Sequence, residues 1–96
     1  MNVVYRLRGQ EFEWDSQKAI SNRLKHGISF EEATEVFFDP FCQFADASVE
    51  YDNEQRDVII GYSFSLRILV VVHTERADRI RIISAREATT HERRLL

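Results

Sequence analysis

The chain has one cysteine, one proline and three glycines among its 96 residues. A single thiol, Cys42, excludes an intrachain disulfide framework and fits a reducing compartment better than secretion. With so little glycine and proline there is no flexible linker, and no internal repeat or low-complexity stretch divides the sequence. One domain over residues 1–96 is expected. Long hydrophobic runs are missing: the longest, Ile68–Val72, falls far short of the roughly 20 residues a membrane helix needs. The N-terminus carries Arg6, Arg8 and then three acids, without the apolar core and small-residue cleavage site of a signal peptide. A cytoplasmic protein with no membrane contact is expected. A glycine-rich phosphate loop is also lacking, which excludes nucleoside triphosphate chemistry. The three histidines form no HxH or HxxxH cluster, and the acids fall mostly on helix faces and in a loop, so neither metal nor cofactor is expected.

Nor is there a surplus of positive charge. The net charge is −3, which by itself gives no pull toward a polyanion. The distribution is uneven, however. Residues 1–54 hold five basic and eleven acidic side chains, a net of −6, and residues 55–96 hold eight basic and five acidic, a net of +3. Eleven of the thirteen basic residues are arginine, whose planar fork pairs with phosphate in a bidentate way that lysine does not. An acidic half and an arginine-rich half fit two partners of opposite sign; a mixed solvated surface accounts for the same numbers.

What is present reads as a small mixed domain. Phe12–Trp14 forms a short strand. Asp15 or Ser16 is placed to cap a helix over SQKAISNRLKH, and Gly27 ends it. Ser29 opens a second helix. Ser29 and Glu32 have capping-box spacing, and Pro40 stops the run after Asp39. Gln43–Ala45 is a weak strand and Asp46–Glu54 a polar, acidic loop. Arg56–Ser63, Arg67–Thr74 and Arg79–Arg86 are strands, the middle one apolar on both faces and therefore central. TTHERRLL closes as a short helix capped by Thr89 or Thr90. The expected fold class is α+β, with two N-terminal helices on one face of a mainly antiparallel sheet and a short C-terminal helix.

Turn lengths suggest a register. A two-residue turn at Phe64–Ser65 pairs Tyr62 with Arg67, and a four-residue turn at Glu75–Asp78 pairs Thr74 with Arg79. Val58, Ile60, Leu69, Val71, Ile80 and Ile82 then lie under the helices. Ile59, Ile68, Val70 and Ile83 form the floor of an uncovered face, with Thr74, Arg79 and Arg81 at one end.

Several short motifs stand in order along the chain: FEWD at Phe12–Asp15, Asn22 followed by KHG at Lys25–Gly27, SFEEA at Ser29–Ala33 and VFFDP at Val36–Pro40. LVVVHTERADRIRIISAREAT at Leu69–Thr89 and ERR at Glu92–Arg94 complete the set. Over roughly residues 12–94 the sequence resembles the BrnT toxins of bacterial BrnT/BrnA toxin–antitoxin modules. The resemblance implies a RelE-like fold and metal-independent RNA cleavage that inhibits translation. It also implies neutralisation by BrnA, a ribbon-helix-helix antitoxin. The resulting hetero-oligomer binds DNA through the antitoxin and represses its own operon. Residues 1–11 extend beyond the usual start of the family, and Glu87 stands where the pattern usually has lysine.

RNA carries its own nucleophile, the 2′-OH. Cleavage needs a group that takes its proton, cations for the charge developing on phosphorus, and an acid for the leaving oxygen. His26, beside Lys25 at the end of the first helix, is the candidate acid/base, and the same position suits a histidine that only complements the helix dipole. Arg79 and Arg81 are candidate catalytic cations, with Lys25 in support; charges that protect a strand edge from aggregation fit them too. Arg76 and Arg86 are candidate RNA clamps, Trp14 a stacking surface or a core residue, and Ser84 a hydroxyl near Arg86. His73 reads as a packed core histidine and His91 as solvated. Two functions remain open: a ribonuclease toxin, and a non-catalytic toxin-derived module that binds an antitoxin-like protein or RNA.

Overall fold

The computed structural model describes residues 1–51 and 54–96, with side chains for 1–44 and 56–96. The chain opens with a hairpin of β1 (Asn2–Leu7) and β2 (Gln10–Asp15). Helices α1 (Ser16–His26) and α2 (Phe30–Glu35) follow, with a 3-10 turn over Val36–Phe38. Strands β3 (Gln43–Tyr51), β4 (Glu54–Tyr62), β5 (Ile68–Arg76) and β6 (Arg79–Glu87) lead to the short α3 (Thr90–Arg93). All six strands join one sheet in the order β1-β2-β6-β5-β4-β3. Every pairing is antiparallel except β2 with β6. The helices thus follow a hairpin rather than opening the chain, and residues 1–11 supply an edge strand. The segment expected as an acidic loop is strand through Tyr51 and again from Glu54; residues 52 and 53 lie outside the described residues.

Local signals set the helix ends. The Asp15 carboxylate accepts from the backbone N–H groups of Gln17 and Lys18 at 3.1 and 3.0 Å, which satisfies two orphan donors of the first turn. Gly27 takes φ 71°, and its N–H donates to Arg23 O at 2.8 Å, closing α1 in a left-handed cap. Ser29 Oγ accepts from Glu32 N at 3.1 Å to start α2. At α3 the capping box is complete, with Thr89 and Glu92 serving each other's backbone.

Between β4 and β5 the loop is one residue longer than expected. Tyr62 pairs with Ile68, and Leu66 sits at φ 66° in a three-residue turn. That slip inverts β4. Ile59 faces the helices, fully buried with Phe12, Trp14, Phe30, Val36, Leu69 and Val71, while Val58 and Ile60 lie on the opposite face. The β5–β6 turn is shorter than expected, with Arg76 opposite Arg79, a shift of two that preserves the faces. A bulge then leaves Ile83 unpaired between Ile82 and Ser84. The second face is not open: Ile60 and Val70 are nearly buried, packed with Ala88, Ile68 and the terminal Leu96. The floor expected from Ile59, Ile68, Val70 and Ile83 therefore does not exist as a bare apolar surface.

Candidate active site

Strand β2 pairs with β6 only along Glu11–Glu13 and Arg79–Arg81, because at Ser16 the chain turns into α1. Beyond Arg81 the edge of β6 has no strand beside it, and α1 lies there instead. Asn22 substitutes for the missing ladder. Its carboxamide donates to Ala85 O at 2.8 Å and to Ile28 O at 3.1 Å, and accepts from Ala85 N at 3.1 Å. The side chain is buried, and so are the backbone groups it satisfies.

Lys18, Ser21, Asn22 and Lys25 follow i, i+3, i+4, i+7 spacing and share one stripe of α1. With His26 they form one wall of a depression of about 230 Å³ whose other wall is Ile83 and Ser84. Residues 58 positions apart in sequence, His26 and Ser84, thus meet at one groove. None of its lining residues is acidic. Among the described residues, Lys18, Lys25 and His26 form no ion pair, and all three are exposed.

The arginines lie in different company. Arg79 donates to Glu11 at 3.1 Å and lies 3.7 Å from Glu13; Arg81 bonds Glu13 and, at 2.8 Å, Asn2 Oδ1. A larger depression of about 410 Å³ at the β5–β6 turn is lined by Arg76 and Arg79 but also by Glu11, Glu13 and Asp78. Arg86 is held by both oxygens of Glu92, at 2.7 and 2.8 Å. Hydrogen bonds donated by Arg79 to Glu11 and by Arg86 to Glu92 raise the pKa of each guanidinium, which therefore stays charged. Trp14 is 2% exposed, with Tyr5 and Phe30 against its ring at centroid distances of 5.6 and 5.8 Å. No face of it is left for a base, and its role is core packing. His73 is buried between Phe37 and Phe44, and His91 is exposed on α3. Burial pushes the Cys42 thiol up, with Asp39 adding to the effect, so the thiol stays protonated at neutral pH.

A profile of the family described as "Ribonuclease toxin, BrnT, of type II toxin-antitoxin system" matches residues 14–92. The chain belongs to the BrnT family. The crystal structure of the Brucella abortus ribonuclease toxin BrnT is similar, with a TM-score of 0.64 and 25% sequence identity over 80% of this chain and 94% of that one. No curated protein matches it by sequence. Type II membership implies an antitoxin partner and an RNA target. No helix among the described residues is long and apolar enough to cross a membrane. The BrnT match begins at residue 14, so Glu11 and Glu13, which occupy Arg79 and Arg81, come from outside it.

Reading the sequence brought Lys25, His26 and Ser84 forward, and these three do converge. It missed Lys18 and Asn22. Helical spacing from Lys25 was the available signal for both. It also missed that the acids of β2 stand opposite the arginines of β6, which no local pattern reveals because the pairing spans 68 residues.

Proposed function

We propose that the chain is an endoribonuclease toxin that cleaves RNA through the RNA's own 2′-OH, in the groove between α1 and β6. The observation that carries this reading is the acid-free lining of that groove around Lys18, Lys25, His26 and Ser84. A phosphodiester meets only cations and hydroxyls there, whereas at the β5–β6 turn it meets three carboxylates.

The chemistry follows from residue types. The 2′-oxygen bonds to phosphorus and the 5′-oxygen leaves, giving a 2′,3′-cyclic phosphate and a 5′-hydroxyl end. His26 moves the proton, since imidazole is the side chain that exchanges protons near neutral pH. Lys25 and Lys18 stabilise the non-bridging oxygens as charge builds on them. The Ser84 hydroxyl donates to the same phosphate. No step calls for a metal ion, and the need for a 2′-OH makes DNA inert. In the cytoplasm such cleavage inhibits translation. A BrnA-like ribbon-helix-helix antitoxin neutralises the toxin, and the complex represses its operon by binding DNA through the antitoxin.

A second reading, a module that binds antitoxin or RNA without cleaving, is favoured by one observation: Arg79, Arg81 and Arg86 are already ion-paired. Incubating the purified chain with single-stranded RNA in EDTA separates the two. Fragments with cyclic-phosphate ends support the nuclease. Retention of RNA without cleavage supports the module, and cleavage of the all-deoxy strand contradicts the 2′-OH route.

A further inference from the structure

Where the 3-10 turn meets the β4–β5 loop, away from the groove, Phe38, Asp39, Pro40, Tyr62, Phe64 and Leu66 line a depression of about 230 Å³. Leu66 is 77% exposed and Phe64 is 49% exposed. Three non-glycine residues have positive φ among those described, and two of them meet this patch: Leu66 at 66° and Arg8 at 51°. Left-handed backbone favours glycine and asparagine, and a leucine there forgoes that preference while holding its side chain in water. Leu66 N donates to Ser63 O at 2.9 Å, which closes the turn but leaves the side chain in water. Strain and exposed apolar surface at one spot point to a contact outside the chain.

The guanidinium of Arg8 lies 4.7 Å from the centre of the Phe64 ring and 5.6 Å from that of Phe38. Among the described residues it has no acidic partner. Asp39 lines the depression and accepts from Tyr62 N at 2.8 Å, and Glu35 accepts from Phe64 N at 2.9 Å, so both carboxylates are committed to backbone. Arg8 is thus a single cation at an apolar rim, which suits one carboxylate of a protein segment, whereas a phosphate backbone needs several cations.

We propose that this patch docks a segment of the antitoxin that presents a bulky apolar side chain beside an acidic one. The apolar group fills the depression between Phe64 and Leu66, and the carboxylate pairs with Arg8 over the two aromatic rings. The inference rests on the chain being a toxin held by an antitoxin. It does not rest on the nuclease groove, with which the patch shares no lining residue.

The test measures affinity for the purified antitoxin of the same module, using the parent chain, Leu66→Asn, Phe64→Ala and Arg8→Ala. Asparagine suits the left-handed position, so Leu66→Asn should fold at least as well as the parent. Leu66→Asn and Phe64→Ala should each weaken antitoxin binding by about 30-fold. Arg8→Ala should weaken it by about tenfold and flatten its salt dependence. Affinities within a few-fold of the parent, in variants that melt like the parent, overturn the proposal. So does weaker binding of a single-stranded RNA oligonucleotide with antitoxin affinity unchanged, which would make the patch an RNA surface. If the parent cleaves no RNA yet the variants lose the antitoxin, the nuclease reading falls and this one stands. If the parent binds no antitoxin, this one falls whatever the cleavage result.

Discussion

Glu32 is the most heavily engaged carboxylate among the described residues. It accepts from Ser63 Oγ at 2.8 Å, Ser65 Oγ at 3.0 Å and Arg67 Nε at 2.9 Å, and it also pairs with Arg67 Nη2. Arg67 holds its pKa down at about 2, against a burial effect that pushes the other way. A carboxylate whose folded pKa lies below its unfolded value of 4.5 adds stability above that pH, and the gain is lost as the pH falls toward 2. Glu92, held at about 2 chiefly by Arg86, adds to the same acid limb. Glu32→Gln should therefore cost about 1–2 kcal/mol at pH 7, discounted for the partly exposed arginine, and about half of that or less near pH 3. Urea unfolding at the two pH values checks this; a penalty that does not shrink in acid contradicts it. His73 works on a higher window. Burial lowers its pKa, and neither ring nitrogen finds a partner among the described residues. The unfolded imidazole takes a proton below about 6.5 while the folded one resists, so stability falls as pH drops below that value. His73→Phe should flatten this part of the stability–pH curve without loss of stability at pH 8. A curve unchanged in shape would show that His73 does not titrate with folding.

At the scale of elements, the open edge of β6 is the feature on which the groove depends. Asn22 holds α1 to that edge through three hydrogen bonds. Asn22→Ala leaves buried backbone groups unsatisfied and should cost about 2–4 kcal/mol in urea unfolding. A variant as stable as the parent would show that water replaces the carboxamide there. Gly61 has a related role: an added Cβ would meet Val36 Cγ1 at 2.9 Å and Cys42 Cβ at 3.0 Å, so the 3-10 turn crosses β4 at the one residue that has no side chain. The helix ends were legible because caps are local: Asp15, Gly27, Ser29 and Thr89 all act where their spacing implied. The β4 face was not legible, because Leu66 in the left-handed region is an unusual choice that hides a three-residue turn. One residue of slip exchanged Ile59 for Val58 and Ile60. The Ser29–Glu32 capping box is half formed for a similar reason: a charge-assisted bond to Arg67, 35 residues away, outcompetes the local one.

Across the whole molecule, the acidic and arginine-rich halves satisfy each other. Glu32 pairs with Arg67, Glu11 with Arg79 and Glu13 with Arg81, each joining the first half of the chain to the second. A charge count along the sequence suggested two partners of opposite sign, yet much of the asymmetry is consumed by folding. Periodicity gives no measure of such long-range pairing. Among the described residues, Lys18, Lys25 and His26 of α1 stay outside these pairs, as Arg8 does, and the α1 groove is where such cations gather. If RNA is cleaved there, steady-state kinetics on a single-stranded RNA oligonucleotide in EDTA separate the α1 groove from the arginine end of β6. His26→Ala should lower kcat/KM by about 100-fold or more, and Lys25→Ala by a comparable factor. Arg79→Ala and Arg81→Ala, whose charges are spent on Glu11 and Glu13, should stay within about fivefold of the parent, in line with the small net effect of exposed ion pairs. Loss of cleavage in Arg79→Ala or Arg81→Ala, with His26→Ala at the parental rate, would contradict a site in the α1 groove and move the chemistry to the opposite end of β6.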